Sequence, residues 1–169
     1  MNYKMIYKNF FTGFPDERGF LNPFDLSLLL ETIGIPDFKF QHQLISFSEK
    51  RNIFRGFHYQ KAPFEQTKIL IVHKGAIKDI IFPIAEPGES SILEVNLEAG
   101  DVIVIPNNFA HGFYTKSENV LLQYFMDQKF SPDHYSGFNP SEYINMCNFE
   151  SEPIISSKDK NLPYLSFKK

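Results

Sequence analysis

Two of the five histidines sit where residue types and spacing could carry chemistry. His58 lies in Arg55-Gly56-Phe57-His58-Tyr59-Gln60 and is followed by Glu65-Gln66-Thr67-Lys68 at the start of an apolar run. His111 follows the run Gly100-Asp101-Val102-Ile103-Val104-Ile105-Pro106 and lies in Ala110-His111-Gly112-Phe113. An imidazole, with an unperturbed pKa of about 6.5, can take or give a proton near neutral pH. The first run puts Arg55, His58 and Lys68 on neighbouring strands, and alternation points Gln66 and Lys68 to one face. A barrel mouth lined by two cations, a histidine and aromatics suits an anionic, partly apolar ligand. A packed strand histidine is the plain alternative for His58, but the flanking cations favour a functional one. His42, His73 and His134 read as surface or strand residues.

The second run resembles the later of the two cupin motifs: a Gly, five residues, a Pro, then a His five residues beyond. Asn108 replaces the usual Gly, and Thr115 stands where Asn is usual. The first cupin motif is half present: where metal-binding cupins carry His-x-His and then Glu, this chain has His58, Gln60 and Glu65. His58, Glu65 and His111 could supply three ligands, but the favoured second imidazole is missing. The balance falls against a metal.

These residues need a frame. Leu26–Ile33 is the best helix candidate, stopped by Gly34 and barred from resuming by Pro36. The opening to about Gly19 reads as strands joined by a tight turn. From Phe38 onward, FKFQHQLISF, KILIVHKG, AIKDIIFPI, SSILEVNL, DVIVIP and NVLLQYFM recur between Gly, Pro, Asn and Asp, the pattern of a sandwich or barrel. No Gly-rich loop opens a helix, which argues against a Rossmann or P-loop unit. From Ser131 the chain is rich in Pro, Ser, Asn and Gly and is expected to wrap the barrel with short helical turns. The expectation is an all-β chain with minor helices and one domain over 1–169.

Composition narrows the class. Net charge is −3, so a general nucleic-acid surface is not expected, and a phosphate must be held by a few local Arg and Lys residues. The 19 Phe and 8 Tyr suit pleated, half-buried strands, and only a Tyr beside a polar constellation invites a chemical role. Cys147 is the sole cysteine; it can form no internal disulfide and reads as filler in a reduced compartment. No stretch approaches the roughly 20 apolar residues of a membrane span, and the opening MNYKMIYKNFFTGF lacks a signal-peptide core, so a cytoplasmic protein is expected. Lys158, Lys160, Lys168 and Lys169 read as a solvated tail.

Taken together, RGFHYQ, Gln66-x-Lys68, AHGF and the closing PIISSKD resemble the dTDP-4-dehydrorhamnose 3,5-epimerase family. Asp16-Glu17-Arg18-Gly19-Phe20 is similar to that family's D-x-R-G segment, and the likeness runs in order from about Asp16 to Pro163. The resemblance implies a cupin jelly-roll barrel with a few short helices that forms a homodimer. It implies a nucleoside-diphosphate 4-keto-6-deoxyhexose as ligand and no metal or organic cofactor. By position, His58 falls on the family's general base, Asp159 on the carboxylate that orients it, and Tyr124 on the general acid. Arg55, Lys68 and His111 match ligand-site positions, Gln66 goes with them, and Arg18 matches an arginine that reaches the phosphates, commonly from the partner subunit. On residue type alone, Asp159 would be a turn carboxylate and Tyr124 core packing; the family pattern singles them out.

That chemistry is self-consistent: His58 removes a proton beside a ketone, Asp159 fixes its tautomer, Lys68 holds the oxyanion, and Tyr124 reprotonates from the opposite face. The chain also departs from the pattern. The family's second active-site tyrosine, six residues after the first, is Phe130, so epimerisation at C3, at C5 or at both stays open. His42-Gln43-Leu44-Ile45 stands where a Gln-x-Asn is usual, Pro23 replaces an acidic residue, and an Asp-x-Arg is lost within Ile81-Phe82-Pro83-Ile84. Nucleotide contacts are thus open to remodelling. A sugar ketoisomerase on the same scaffold, a metal-dependent cupin and a silent sugar-nucleotide binder remain as alternatives.

Overall fold

Alternation of side chains along the strands builds two sheets that face each other, and a computed structural model describes residues 4–149 and 151–168. Met1 to Tyr3 and Lys169, parts of the opening and tail segments read above, lie outside the described residues. In chain order the elements are β1 (Ile6–Tyr7), β2 (Phe14–Asp16), β3 (Gly19–Leu21), α1 (Leu26–Thr32), β4 (His42–Ser48), β5 (Ile53–Gln60), β6 (Lys68–Lys74) and β7 (Ala76–Pro83). They continue with β8 (Leu93–Glu98), β9 (Val102–Ile105), β10 (Phe109–Thr115), β11 (Val120–Met126), β12 (Tyr135–Gly137), α2 (Ser141–Met146), β13 (Ile154–Ile155) and α3 (Ser157–Lys160). One sheet runs β1-β9-β6-β11-β4; the other runs β12-β5-β10-β7-β8 with β13 beside β5; β2 and β3 form a separate hairpin. This is the expected all-β jelly-roll with short helices.

The apolar runs are unbroken because both faces of each central strand are covered. In β6, Leu70 and Val72 point between the sheets and join Ile77, Ile81, Ile103 and Leu122. Ile69 and Ile71 point outward, under Leu29, Leu30 and Ile33 of the α1 segment. Asp25 caps α1, its carboxylate accepting from the Ser27 and Leu28 amides. The outer face of the other sheet, with Phe54, Ile80 and Phe82, is covered by Tyr143, Leu165 and Phe167 from the C-terminal wrap. No described helix is long and apolar enough to cross a membrane.

Two departures from the expected frame matter. Phe38–Gln41 is not strand; β4 begins at His42. And β5 and β6, which carry Arg55, His58 and Lys68, are not neighbours in one sheet but belong to facing sheets, so these side chains meet across the interior.

The pairing of β5 with β10 is irregular. His111 pairs with His58, but Phe113 pairs with Arg55, so three steps on β5 answer two on β10. That extra residue is a bulge. Gly56 sits in it at φ +129°, and a Cβ there would lie 2.5 Å from the Cα of Gly112. A Cβ on Gly112 would lie 2.8 Å from the Phe57 ring. Only glycines allow the two backbones this close. Gly56→Ala should therefore destabilise the fold by roughly 2–4 kcal/mol, from left-handed strain plus steric overlap. Urea denaturation checks this: the midpoint falls markedly, and an unshifted midpoint would contradict the close approach.

Candidate active site

The interior is filled at one end by the apolar core and hollow at the other, leaving a cavity of about 330 Å³. One wall comes from the β4–β11–β6 side: His42, Leu44, Ser46, Tyr124 and Lys68. The opposite wall comes from β5 and β10: Arg55, His58, His111 and Phe113. Arg55 and His58 are three residues apart, and strict alternation would put them on opposite faces; the bulge at Gly56 turns both inward.

His58 Nε2 lies 2.8 Å from Asp159 Oδ1, on the buried face of α3. The Asp159 Oδ2 atom accepts from the Gly56 amide at 3.4 Å, and the Ser156 hydroxyl accepts from the Asp159 amide. With one ring nitrogen committed to the carboxylate, the other is left to accept a proton from the cavity. Burial disfavours the imidazolium and pulls the His58 pKa below its usual 6.5, while the hydrogen bond and charge of Asp159 push the other way. Burial alone would raise the Asp159 carboxyl, but His58, the Gly56 amide and the Ser156 hydroxyl outweigh it and hold the pKa below the usual value.

Lys68 enters from the facing sheet and donates to the His58 carbonyl at 3.2 Å. Burial lowers its pKa to about 8, partly offset by the charge of Asp79, so it is largely a cation at neutral pH. Tyr124, almost fully buried, is held well above the usual phenol range by burial and then by Asp79, and so stays protonated. Its ring meets that of His111 at 5.9 Å. His111 is itself paired with Asp79, Nε2 to Oδ2 at 2.7 Å, and Asp79 Oδ1 is buried with no hydrogen-bond partner among the described residues. Arg55 reaches Ser48 Oγ at 3.2 Å and leaves much of its guanidinium at the mouth. Gln66 donates to the Gln128 carbonyl at 2.8 Å and lines the cavity beside Lys68, as alternation indicated.

Of the residues singled out in the sequence, His58, Asp159, Lys68, Tyr124, Arg55, Gln66, His111 and Phe130 thus share one cavity. Arg18 does not. It lies in the β2–β3 hairpin, 82 % exposed, paired with Asp16 at 2.5 Å. Glu65 is also elsewhere, in a shallow depression with Lys61 and Asn107, so the donor set His58, Glu65 and His111 is not assembled. Among the described residues no cluster of three or more His, Cys, Asp or Glu could hold a metal.

Four residues of the site were misread or passed over. His42, read as a surface or strand residue, does open strand β4, but it also lines the cavity and stacks on Phe130 with ring centroids 6.3 Å apart. Lys158 is not plain tail: its ammonium sits 4.1 Å from the Tyr135 ring centroid. Tyr135 lies beside His58, and Asp79 anchors His111. The β4 register also becomes definite, since His42, Leu44 and Ser46 face inward while Gln43, Ile45 and Phe47 do not line the cavity. Asp79 had a signal, a lone carboxylate inside the apolar run AIKDIIFPI; the others had none beyond being aromatic or basic.

Because Asp159 supports the imidazolium, Asp159→Asn should move the His58 titration to lower pH than in the parent. NMR titration of the ring signals reads this directly, and an unchanged or raised midpoint would show that the carboxylate does not act on the ring.

Comparison with known proteins places the chain in a family. The family model described as dTDP-4-dehydrorhamnose 3,5-epimerase matches residues 6–166. The dTDP-4-dehydrorhamnose 3,5-epimerase of Shigella flexneri is 31 % identical over 154 residues, 88 % of this chain and 84 % of that one. The crystal structure of the Bacillus anthracis enzyme of that name, with TDP and PPi bound, superposes with a TM-score of 0.78 at 31 % identity, covering 97 % of this chain and 100 % of that one. A Legionella pneumophila 3,5-epimerase in complex with dTDP-4-keto-L-rhamnose gives 0.73 at 25 % identity over 92 % and 85 %. The chain belongs to the dTDP-4-dehydrorhamnose 3,5-epimerase family, and is a carbohydrate epimerase.

Proposed function

We propose that the substrate is a nucleoside-diphosphate 4-keto-6-deoxyhexose and that His58 removes the proton from C3, C5 or both. The observation that carries this is the opposition across one cavity: a carboxylate-backed imidazole on one sheet, an ammonium and a buried phenol on the other. The relatives with TDP and PPi, and with dTDP-4-keto-L-rhamnose, support the ligand class.

The bonds balance without any redox change. The free nitrogen of His58 takes the proton next to the ketone, and the C–H electrons move into an enolate with its charge on O4. Lys68, largely cationic below its pKa of about 8, holds that oxygen. Tyr124 delivers a proton to the carbon from the facing wall and becomes a phenolate. Loss of the His58 proton and regain of one by Tyr124 restore the site, so solvent hydrogen enters the product. Arg55, Gln66, His111 and Phe130 line the substrate, with Arg55 at the mouth suited to a phosphate.

The experiment is incubation with dTDP-4-keto-6-deoxyglucose in D₂O, read by NMR and mass. Deuterium enters at C3, C5 or both. His58→Asn abolishes the exchange, and the rate of the parent falls above pH 8 as Lys68 loses its proton. No exchange with this or other nucleoside-diphosphate 4-keto sugars would reject the reading, and a carbonyl relocated to C3 would replace it with ketoisomerisation.

The working unit in this reading is a homodimer. The β2–β3 hairpin is exposed along its whole length, with Phe14, Phe20 and Leu21 each more than 60 % exposed. The outer face of edge strand β4 shows Ile45 and Phe47, 68 % and 54 % exposed. Apolar surface on an edge strand is normally covered. A second copy covers it here, and its hairpin carries Arg18 to the diphosphate. Sedimentation should give a dimer. Mixing and refolding Arg18→Ala with His58→Asn protein should recover part of the lost activity, because each mixed dimer retains one intact site; a monomer, or no recovery, would exclude the shared site.

A further inference from the structure

Phe130 removes a hydroxyl from the cavity wall, yet the wall does not lack one. Tyr135 follows Phe130 by five residues, and their rings touch edge to face at 6.0 Å. Strand β12 pairs Gly137 with His58 and Tyr135 with Gln60, so Tyr135 stands on the same face of the sheet as His58, two pairs along. Glycine at 137 keeps that strand close: a Cβ there would already lie 3.3 Å from the His58 ring and 2.2 Å from the Phe57 carbonyl. The Tyr135 and His58 ring centroids are 5.5 Å apart.

From these contacts we propose that Tyr135 supplies the second hydroxyl of the sugar site, donating a hydrogen bond to a sugar oxygen on the side of the ring that His58 deprotonates. This rests on the function proposed above and specifies how the sugar is held. The phenol is ready for the role. Its hydroxyl makes no hydrogen bond to any described residue, although the residue is half-buried and lines the cavity. Burial and then the Asp159 charge push its pKa to about 12, so it keeps its proton through the working range and has it available to donate in a hydrogen bond. Its ring is clamped by Phe130 on one side and by the Lys158 ammonium over its face. Lys158 and Asp159 are consecutive residues of α3, so one short helix places both the carboxylate behind His58 and the cation over Tyr135. Phe130, where the resemblance implies a second tyrosine, lies in the loop after β11; Tyr135 offers its hydroxyl from β12, beside His58.

Tyr135→Phe isolates the hydroxyl, because the ring, its cation contact and its packing on Phe130 all remain. The expected result is a fall of about tenfold or more in kcat/KM for dTDP-4-keto-6-deoxyglucose, in the range of one lost hydrogen bond to a bound polar group. Affinity for dTDP alone, measured by calorimetry, stays as in the parent, since dTDP has no hexose. Unchanged kcat/KM overturns the proposal. So does an equal loss of affinity for dTDP, which assigns Tyr135 to the nucleotide or to the fold. Absence of exchange in the parent itself defeats the underlying function instead, so the two failures are distinct.

Discussion

No side chain fits between β5 and β10 where Gly56 meets Gly112, and the geometry of the proposed site hangs on that contact. The two backbones can approach because both residues lack a Cβ, and Gly56 takes a positive φ that other residues resist. The bulge so formed inserts one residue into β5, which turns Arg55 and His58 to the same side and sends Phe57 to the outer core with Phe54 and Phe82. The amide of Gly56 then points at Asp159, so the strand that carries the imidazole also helps seat the carboxylate that holds it. Sequence separation between His58 and Asp159 is 101 residues, and this local backbone device lets the C-terminal wrap close on the barrel at one defined spot.

Around that spot the protein balances charge in an apolar shell. Isolated ions in such a place are costly, and each here has a counterweight. The Asp159 carboxylate faces His58 and accepts from the Gly56 amide. Asp79, fully buried, answers His111 through one oxygen, and its field opposes the burial that lowers Lys68. The same field helps keep Tyr124 protonated. At neutral pH the three groups therefore stand in different states: His58 largely neutral, Lys68 still largely charged although burial lowers it to about 8, and the Tyr124 phenol protonated. Such separation of proton affinities is what an enolate-forming site requires.

Much of this was legible in the chain. Apolar runs punctuated by Gly and Pro marked most of the strands, and Leu26–Ile33 read as a helix because its stop at Gly34 and the bar at Pro36 are local signals; the Asp25 cap at its start was not read. The motif residues His58, Lys68, Tyr124, His111 and Asp159 could be named because a family pattern ties them together in order. What resisted was anything made by two distant segments at once. Alternation is blind to the bulge, so Arg55 and His58 could not be placed on one face from period alone. Facing sheets look like neighbouring strands when only order is known, as for β5 and β6. Lys158 resembles any tail lysine until α3 folds back over Tyr135, and His42 any strand histidine until Phe130 lies against it.

The way these residues are held separates them into two sets. His58, Asp159, Lys68, His111 and Asp79 are tied by hydrogen bonds to one another or to strand backbone, so exchanging one leaves a buried partner unsatisfied, a cost on the order of 1–3 kcal/mol or more. His42, Phe130 and Tyr135 meet through ring contacts at the mouth, where an aromatic swap leaves no such orphan. The proton chemistry proposed above therefore falls to the interlocked floor, while the mouth can change its shape and polarity at little cost to the fold. It is in this outer set that Phe130 and the His42 segment depart from the family pattern. In the proposed reading, the same physical asymmetry that protects the proton chemistry leaves the fit to the hexose to the aromatic rings at the mouth.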